Sequence, residues 1–236
     1  MNIQYFDEPW RHVVIDNALP EDLFNKFLEV NDDIQSICQM CEDPSAKTQV
    51  KYAYRKGESN IDASEDDYYF KNYKLLDLIK IQFDDLLFDL VEDANKYITD
   101  NFTKLYNKKF CNSDIFEPME EDWFFKTGIQ AQPPGFQYPN HDESKMKKMS
   151  IVIFLDPKEN IGTWLYDSEE QDYDKPTKKI EWKQNRAFIF CGAEEKTWHS
   201  FQAAADIEDF RTTIVSFLYD PKQRWDPKPK RTKNNV

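Results

Sequence analysis

The amino-acid sequence predicts an α+β protein in which helices come first and a β-rich core follows. Two textures carry that expectation. Between residues 74 and 98 apolar side chains recur at Leu75, Ile79, Phe83, Leu86, Leu87, Leu90, Ala94 and Tyr97, the three-and-four spacing of one helix face. Beyond residue 114 the chain turns to short runs rich in aromatic and β-branched residues, among them "DWFFKTGIQAQ", "KMSIVIFLD", "AFIFCG" and "RTTIVSFLY", punctuated by Pro, Gly and Asp. Many short strands at that spacing mean a sandwich or a barrel.

Taken in order, "RHVVIDNALPEDLFNKFLEV" reads as a strand over residues 12–15, a turn, and a helix that starts near Pro20 with acidic residues in its first turn. Residues 46–70 are polar and are expected to form irregular surface structure, in the manner of a flap. The helix of residues 74–98 is expected to brace a sheet. Further strands are expected in "GTWLYD", "KKIEW" and "WHSFQ", and "DPKPKRTKNNV" reads as a disordered end. No internal repeat is present. A chain of 236 residues suits one domain, with helical support mainly in 1–113, a β-core about 114–220 and a basic tail over 221–236.

Composition excludes several functions. Lys and Arg total 31 against 44 Asp and Glu, a net charge of -13, which argues against a nucleic-acid partner, although Lys222, Arg224, Lys228, Lys230 and Arg231 make the tail locally basic. The longest apolar run, residues 151–155, is far short of the roughly 18 that a membrane span needs, and the N-terminus has no charged-then-apolar leader pattern. A cytoplasmic protein with no membrane partner is expected. The cysteines at 38, 41, 111 and 191 are too few and too scattered for a secreted disulfide scaffold, so a reducing compartment fits. Cys38 and Cys41 form a C-x-x-C pair that suits half a zinc site, a redox pair or two ordinary thiols.

The chemistry-bearing residues gather around "YPNHDESKMKKMSIVIFLDP", where His141, Asp142 and Glu143 precede the most apolar run in the chain. Residues two apart on a strand share a face, so His141 and Glu143 would face together and Asp142 away. Of the two other histidines, His12 lies in the N-terminal strand and His199 in "KTWHSFQ", inside the β-core. Two His and one carboxylate with open positions form the facial triad of non-haem Fe(II) oxygenases, and His141, Glu143 and His199 could build it. Arg211 opens the strand "RTTIVSFLY" with Thr213 two places on, on the same face. A guanidinium fork there suits a bidentate carboxylate with a hydroxyl beside it, or a salt bridge to Glu208 or Asp209.

In that order across a strand-rich half, His141-x-Glu143, His199 and Arg211 resemble the Fe(II)/2-oxoglutarate-dependent dioxygenase superfamily. The resemblance covers about residues 114–220. It also reaches "HVVIDNALPEDLFNKF", which is similar to the opening segment of the prolyl-hydroxylase-like branch, and takes in Lys147, Phe154-Leu155 and Gly162-Thr163-Trp164-Leu165-Tyr166. It implies a double-stranded β-helix, or jelly roll, that binds Fe(II), 2-oxoglutarate as co-substrate and O₂, with room for ascorbate. It further implies that Arg211 and Thr213 hold the far carboxylate of 2-oxoglutarate. Such an enzyme hydroxylates a C–H bond while oxidising 2-oxoglutarate to succinate and CO₂.

The superfamily's usual carboxylate is Asp, and here Glu143 stands in its place. Strand periodicity favours Glu143, with Asp142 as the rival if the strand is bulged. Tyr138 either lines the 2-oxoglutarate pocket or packs as a rim aromatic. Trp198 should face away from His199, and Trp164 packs or borders the mouth. The other function class is a cupin-like protein that binds a metal or small ligand without oxygenase activity, but cupin sites usually present H-x-H and have no need of Arg211. A degenerate member acting in protein interactions would show a broken triad. The expected substrate is a peptidyl residue or a small molecule, and fold leaves that choice and the oligomeric state open.

Overall fold

The structure, a computed structural model, describes residues 2–32, 35, 50–54, 89–111, 116–143, 146–192 and 196–222. Two antiparallel sheets dominate it. The strands are β1 (Asn2–Phe6), β2 (His12–Asp16), β3 (Val50–Tyr54), β4 (Phe124–Gln132), β5 (Gln137–His141), β6 (Lys147–Asp156), β7 (Thr163–Leu165), β8 (Lys178–Ile180), β9 (Arg186–Cys191), β10 (His199–Gln202) and β11 (Arg211–Tyr219). A seven-stranded sheet runs β1-β2-β9-β6-β11-β4-β3, and a four-stranded sheet runs β5-β10-β7-β8. From β4 onward the chain keeps returning from one sheet to the other, the winding of a jelly-roll-like sandwich.

The large sheet has two buried faces because side chains alternate along each strand. Val13, Ile151, Ile153, Ile189, Ile214 and Leu218 point outward into a core shared with Phe24, Phe27, Ile98 and Phe102. Helix α1 (Glu21–Glu29) and helix α2 (89–102) supply those partners. Val14, Phe154, Phe188 and Phe190 point inward and meet Leu165 and Ile180 of the small sheet. Phe27, Phe102, Phe154, Phe188 and Phe190 are all fully buried. Each contributes about 1.5–3 kcal/mol in apolar transfer.

Among the described residues the N-terminal stretch holds strands as well as the helices α1 and α2. Besides α1, whose N-cap is Pro20, it adds β1, β2 and β3 to the large sheet. β3 falls inside the stretch expected to be irregular, because its backbone completes a ladder with β4, from Val50 opposite Ala131 to Tyr54 opposite Thr127. Of the helix expected over 74–98, residues 89–98 are described and helical, and the rest lie outside the described residues. Cys38, Cys41 and the tail beyond Lys222 lie outside them too. Two cysteines are paired where free thiols suited the sequence: Cys111 and Cys191 form a disulfide that ties the segment after α2 to the end of β9.

Gly162 sets the distance between loop and sheet just before β7. A Cβ there would stand 1.8 Å from the backbone oxygen of Ile180, which no side-chain adjustment relieves. Gly162→Ala should therefore lower the midpoint of urea unfolding by about 1–3 kcal/mol of stability or more, and an unchanged midpoint would contradict this close approach.

Candidate functional site

β5 and β10 pair so that His141 lies opposite His199, and their ring centroids are 4.2 Å apart. The pairing slips between His199 and Phe201, where Tyr138 becomes the partner, so β5 carries the extra residue of a bulge at Pro139 and Asn140. Pro139 lacks a backbone donor, and a bulge is where a strand tolerates that loss. The bulge thus lies before the histidine, not at Asp142. Strand β5 ends at His141, so Asp142 and Glu143 follow the strand and the alternation expected across them does not apply.

Both histidines are oriented by the same local device. His141 Nδ1 lies 2.9 Å from the Pro139 carbonyl and His199 Nδ1 lies 2.7 Å from the Thr197 carbonyl. A carbonyl only accepts, so in each ring Nδ1 carries the hydrogen and Nε2 keeps its lone pair. Burial, helped by the neighbouring His199, lowers the His141 pKa to about 3, and burial lowers His199 as well. Both rings are therefore neutral donors at physiological pH.

Glu143 is brought to the pair despite the end of the strand. Its Oε1 lies 4.0 Å from His199 Nε2 and accepts a 3.0 Å hydrogen bond from Ser150 Oγ, while Oε2 accepts a 2.8 Å bond from Lys147 Nζ. Burial alone would raise the Glu143 pKa, but the Lys147 ammonium outweighs it and holds the carboxyl below its usual range. Gly192 makes room for this arrangement, since a Cβ there would stand 2.5 Å from the Lys147 carbonyl and 3.5 Å from Glu143 Cβ. Asp142 is also buried, and its charge acts on His199. Among the described residues no group of three or more His, Cys, Asp or Glu is gathered as a metal site. The donor types fit a divalent metal, with two imidazole Nε2 atoms bare and a carboxylate adjacent, yet both carboxylate oxygens are already engaged by Lys147 and Ser150.

Arg211 lies deep between the sheets, 1% exposed, with Phe154, Trp182 and Phe201 around its guanidinium at 5.6, 4.9 and 5.4 Å. Its Nε donates to the Ile161 carbonyl at 3.1 Å and Nη1 donates to Gln132 Oε1 at 2.8 Å. Neither Glu208 nor Asp209 is its hydrogen-bonding partner. Three buried atoms in this corner, Arg211 Nη2, Thr213 Oγ1 and Gln132 Nε2, have no hydrogen-bond partner among the described residues. Because Gln132 Oε1 is committed to Arg211, its amide hydrogens must serve something else. Burial lowers the Arg211 pKa to about 9. The corner offers donors and a positive charge, the complement of an anion.

Phe201 joins the two regions, touching Arg211 on one side and lying 6.4 Å from the His141 ring on the other. Tyr138 stacks flat on Phe201 at 4.9 Å and meets His141 edge-on at 4.5 Å, so it walls the histidine end. Trp164 lies against Tyr173 and under Lys179. His12 stays outside the site, fully buried among Phe6, Trp10 and Phe188. Sequence reasoning missed Gln132, Ser150 and the contact role of Lys147. A polar residue inside an apolar strand was the available signal at Gln132 and Ser150, but which face it occupied depended on register.

No family model matches this chain, and no curated protein matches it by sequence. Among solved structures it is similar to a prolyl hydroxylase in complex with a hypoxia inducible factor oxygen degradation domain peptide fragment from Trichoplax adhaerens, at 13% identity and a TM-score of 0.47, covering 89% of this chain and 83% of that one. It is also similar to a Pseudomonas putida prolyl-4-hydroxylase, at 12% identity and a TM-score of 0.46, covering 89% and 92%, and to IDO from Bacillus thuringiensis, at 11% and 0.48, covering 89% and 93%. Likenesses at this level carry no functional argument.

His12 supplies a test of the buried-imidazole electrostatics away from the candidate donors. Burial depresses its pKa from 6.5 to about 4, so the unfolded chain takes up a proton that the folded one refuses. Stability on this account is complete above pH 6.5 and falls as the pH drops towards 4. The slope is up to about 1.4 kcal/mol per pH unit. His12→Phe should flatten the stability profile in that window by this amount, as read by urea unfolding at a series of pH values; an unchanged slope would mean that His12 is not buried as a neutral ring.

Proposed function

We propose that the protein is an Fe(II)- and 2-oxoglutarate-dependent dioxygenase that hydroxylates a peptidyl residue or a small molecule. The observation that carries this reading is the Arg211 corner: a buried guanidinium that has no carboxylate partner among the described residues, beside Thr213 Oγ1 and Gln132 Nε2, which have no hydrogen-bond partner among them either. A site that presents hydrogen-bond donors and one positive charge is completed by a singly negative acceptor group, which is what a carboxylate is. The aromatic faces of Phe154, Trp182 and Phe201 keep water away, and an ion pair gains strength in such surroundings.

A linear dicarboxylate bound there by one end would run along Phe201 towards the histidine pair. His141 and His199, with Nε2 bare, and Glu143 are the residues that would hold a metal, with Asp142 as the rival carboxylate. When bound, iron supplies the means to chelate the keto acid and to activate O₂, so that the oxidation of 2-oxoglutarate to succinate and CO₂ drives hydroxylation. The protein's own share is orientation. The Pro139 and Thr197 carbonyls fix the two imidazole tautomers, and Arg211 with Gln132 fixes the co-substrate's far end. Tyr138 shields the imidazole end as a wall. A cupin-like binding protein would need the histidine pair but has no use for an unneutralised Arg211.

Anaerobic titration of Fe(II)-loaded protein with 2-oxoglutarate tests this. A weak visible charge-transfer band of a chelated keto acid is expected, and its absence from folded, iron-loaded protein would overturn the reading. Arg211→Ala should raise the 2-oxoglutarate concentration needed for the band by on the order of 10²-fold while iron affinity is kept, since a charge-assisted bidentate contact is worth about 3 kcal/mol. Glu143→Ala should weaken iron binding more than Asp142→Ala does. The reverse order would assign the carboxylate to Asp142.

A further inference from the structure

The two histidines are ready to act as donors, and the carboxylate beside them is not. Both oxygens of Glu143 are occupied, Oε2 by the Lys147 ammonium at 2.8 Å and Oε1 by Ser150 at 3.0 Å. Those contacts hold the carboxylate while its Oε1 lies 4.0 Å from His199 Nε2. We propose that Lys147 is a built-in latch on the Glu143 carboxylate, a resident cation that a divalent metal must displace before Glu143 can join His141 and His199. The inference rests on reading those three residues as metal donors.

Three features make Lys147 a displaceable cation and not merely a buried counter-ion. It opens β6, and its side chain keeps 26% of its accessibility while that of Glu143 keeps 6%. Its ammonium also lies 4.0 Å from the centre of the Phe217 ring, which offers a second favourable contact when the carboxylate is withdrawn. Finally, Glu143 retains the Ser150 bond when Lys147 leaves, so the carboxylate stays directed at the histidine pair. With Lys147 in place the carboxylate's charge is spent, and an incoming divalent cation meets both a neutralised donor and a nearby positive charge. The latch lowers metal affinity and lends the empty site a neutral, compact form.

The probe is Mn(II), which binds oxygen and nitrogen donors without redox chemistry, and the free ion is followed by its electron paramagnetic resonance signal. Lys147→Met keeps the chain length and the contact with Phe217 but removes the charge. It should bind Mn(II) about tenfold or more tightly than the unaltered protein, and Lys147→Arg should not. Equal or weaker binding by Lys147→Met would overturn the latch. Should Lys147→Met fail to fold, the same question is put to the unaltered protein: the rate of Lys147 amine acylation, read by peptide mass spectrometry, should rise several-fold when Mn(II) is added and stay constant in His199→Ala. A Lys147 rate indifferent to bound Mn(II) overturns the latch while leaving the metal site standing. No Mn(II) binding by either form overturns the metal reading and the latch with it.

Discussion

A guanidinium inside a protein, with three aromatic rings around it and no carboxylate bonded to it among the described residues, is the constraint around which the rest of the molecule is arranged. Removing such a charge from water costs several kcal/mol unless its hydrogens find acceptors. The fold supplies two. Gln132 lies directly opposite Arg211 in the β4–β11 register, and Ile161 offers its carbonyl from the loop before β7. That loop is itself tied down, because Asn160 Oδ1 accepts from the backbone of both Ile161 and Ala204 while Gly162 lies against Ile180. The acceptors orient the group and leave part of its donor capacity unused.

Such a corner is tolerable only in a sheet stabilised from its other side. The outward residues of β6, β9 and β11 pack against α1 and α2, and polar links support that packing: Thr127 joins Asn95 of α2 to Ser216 of β11, and Asn31 bridges Asp156 and Thr212. The inward face is thereby released to carry Arg211, Thr213 and Ser150 among its phenylalanines. Alternation along single strands thus separates a stabilising face from a chemical one.

The three histidines show how little a residue type decides alone. Each donates Nδ1–H to the carbonyl two residues before it, including His12 to Trp10 at 2.7 Å. The local geometry is one motif used three times. In β2 it leaves Nε2 facing an aromatic cage, and across β5 and β10 it turns two such nitrogens to one place. Trp10 lies edge-on to both His12 and His199, so the apolar packing of one site borders the donors of the other.

Periodicity was enough to read, from the sequence alone, the strands β2, β4, β6, β9 and β11, the start of α1 and the shared face of Arg211 and Thr213, while residue type alone singled out His141, Glu143 and His199 as candidates. These are legible because local spacing reports which face a residue takes, and because few residue types bind metals or anions. β1 and β3 were not legible, since a short polar strand gains its reason only from the ladder beside it. Nor could spacing show that β5 stops at His141, that Gln132 stands opposite Arg211, or that Lys147 reaches the carboxylate four residues before it. Register, strand ends and ion pairing are settled by which chain segments meet in space, and that depends on the closing of both sheets around a shared core.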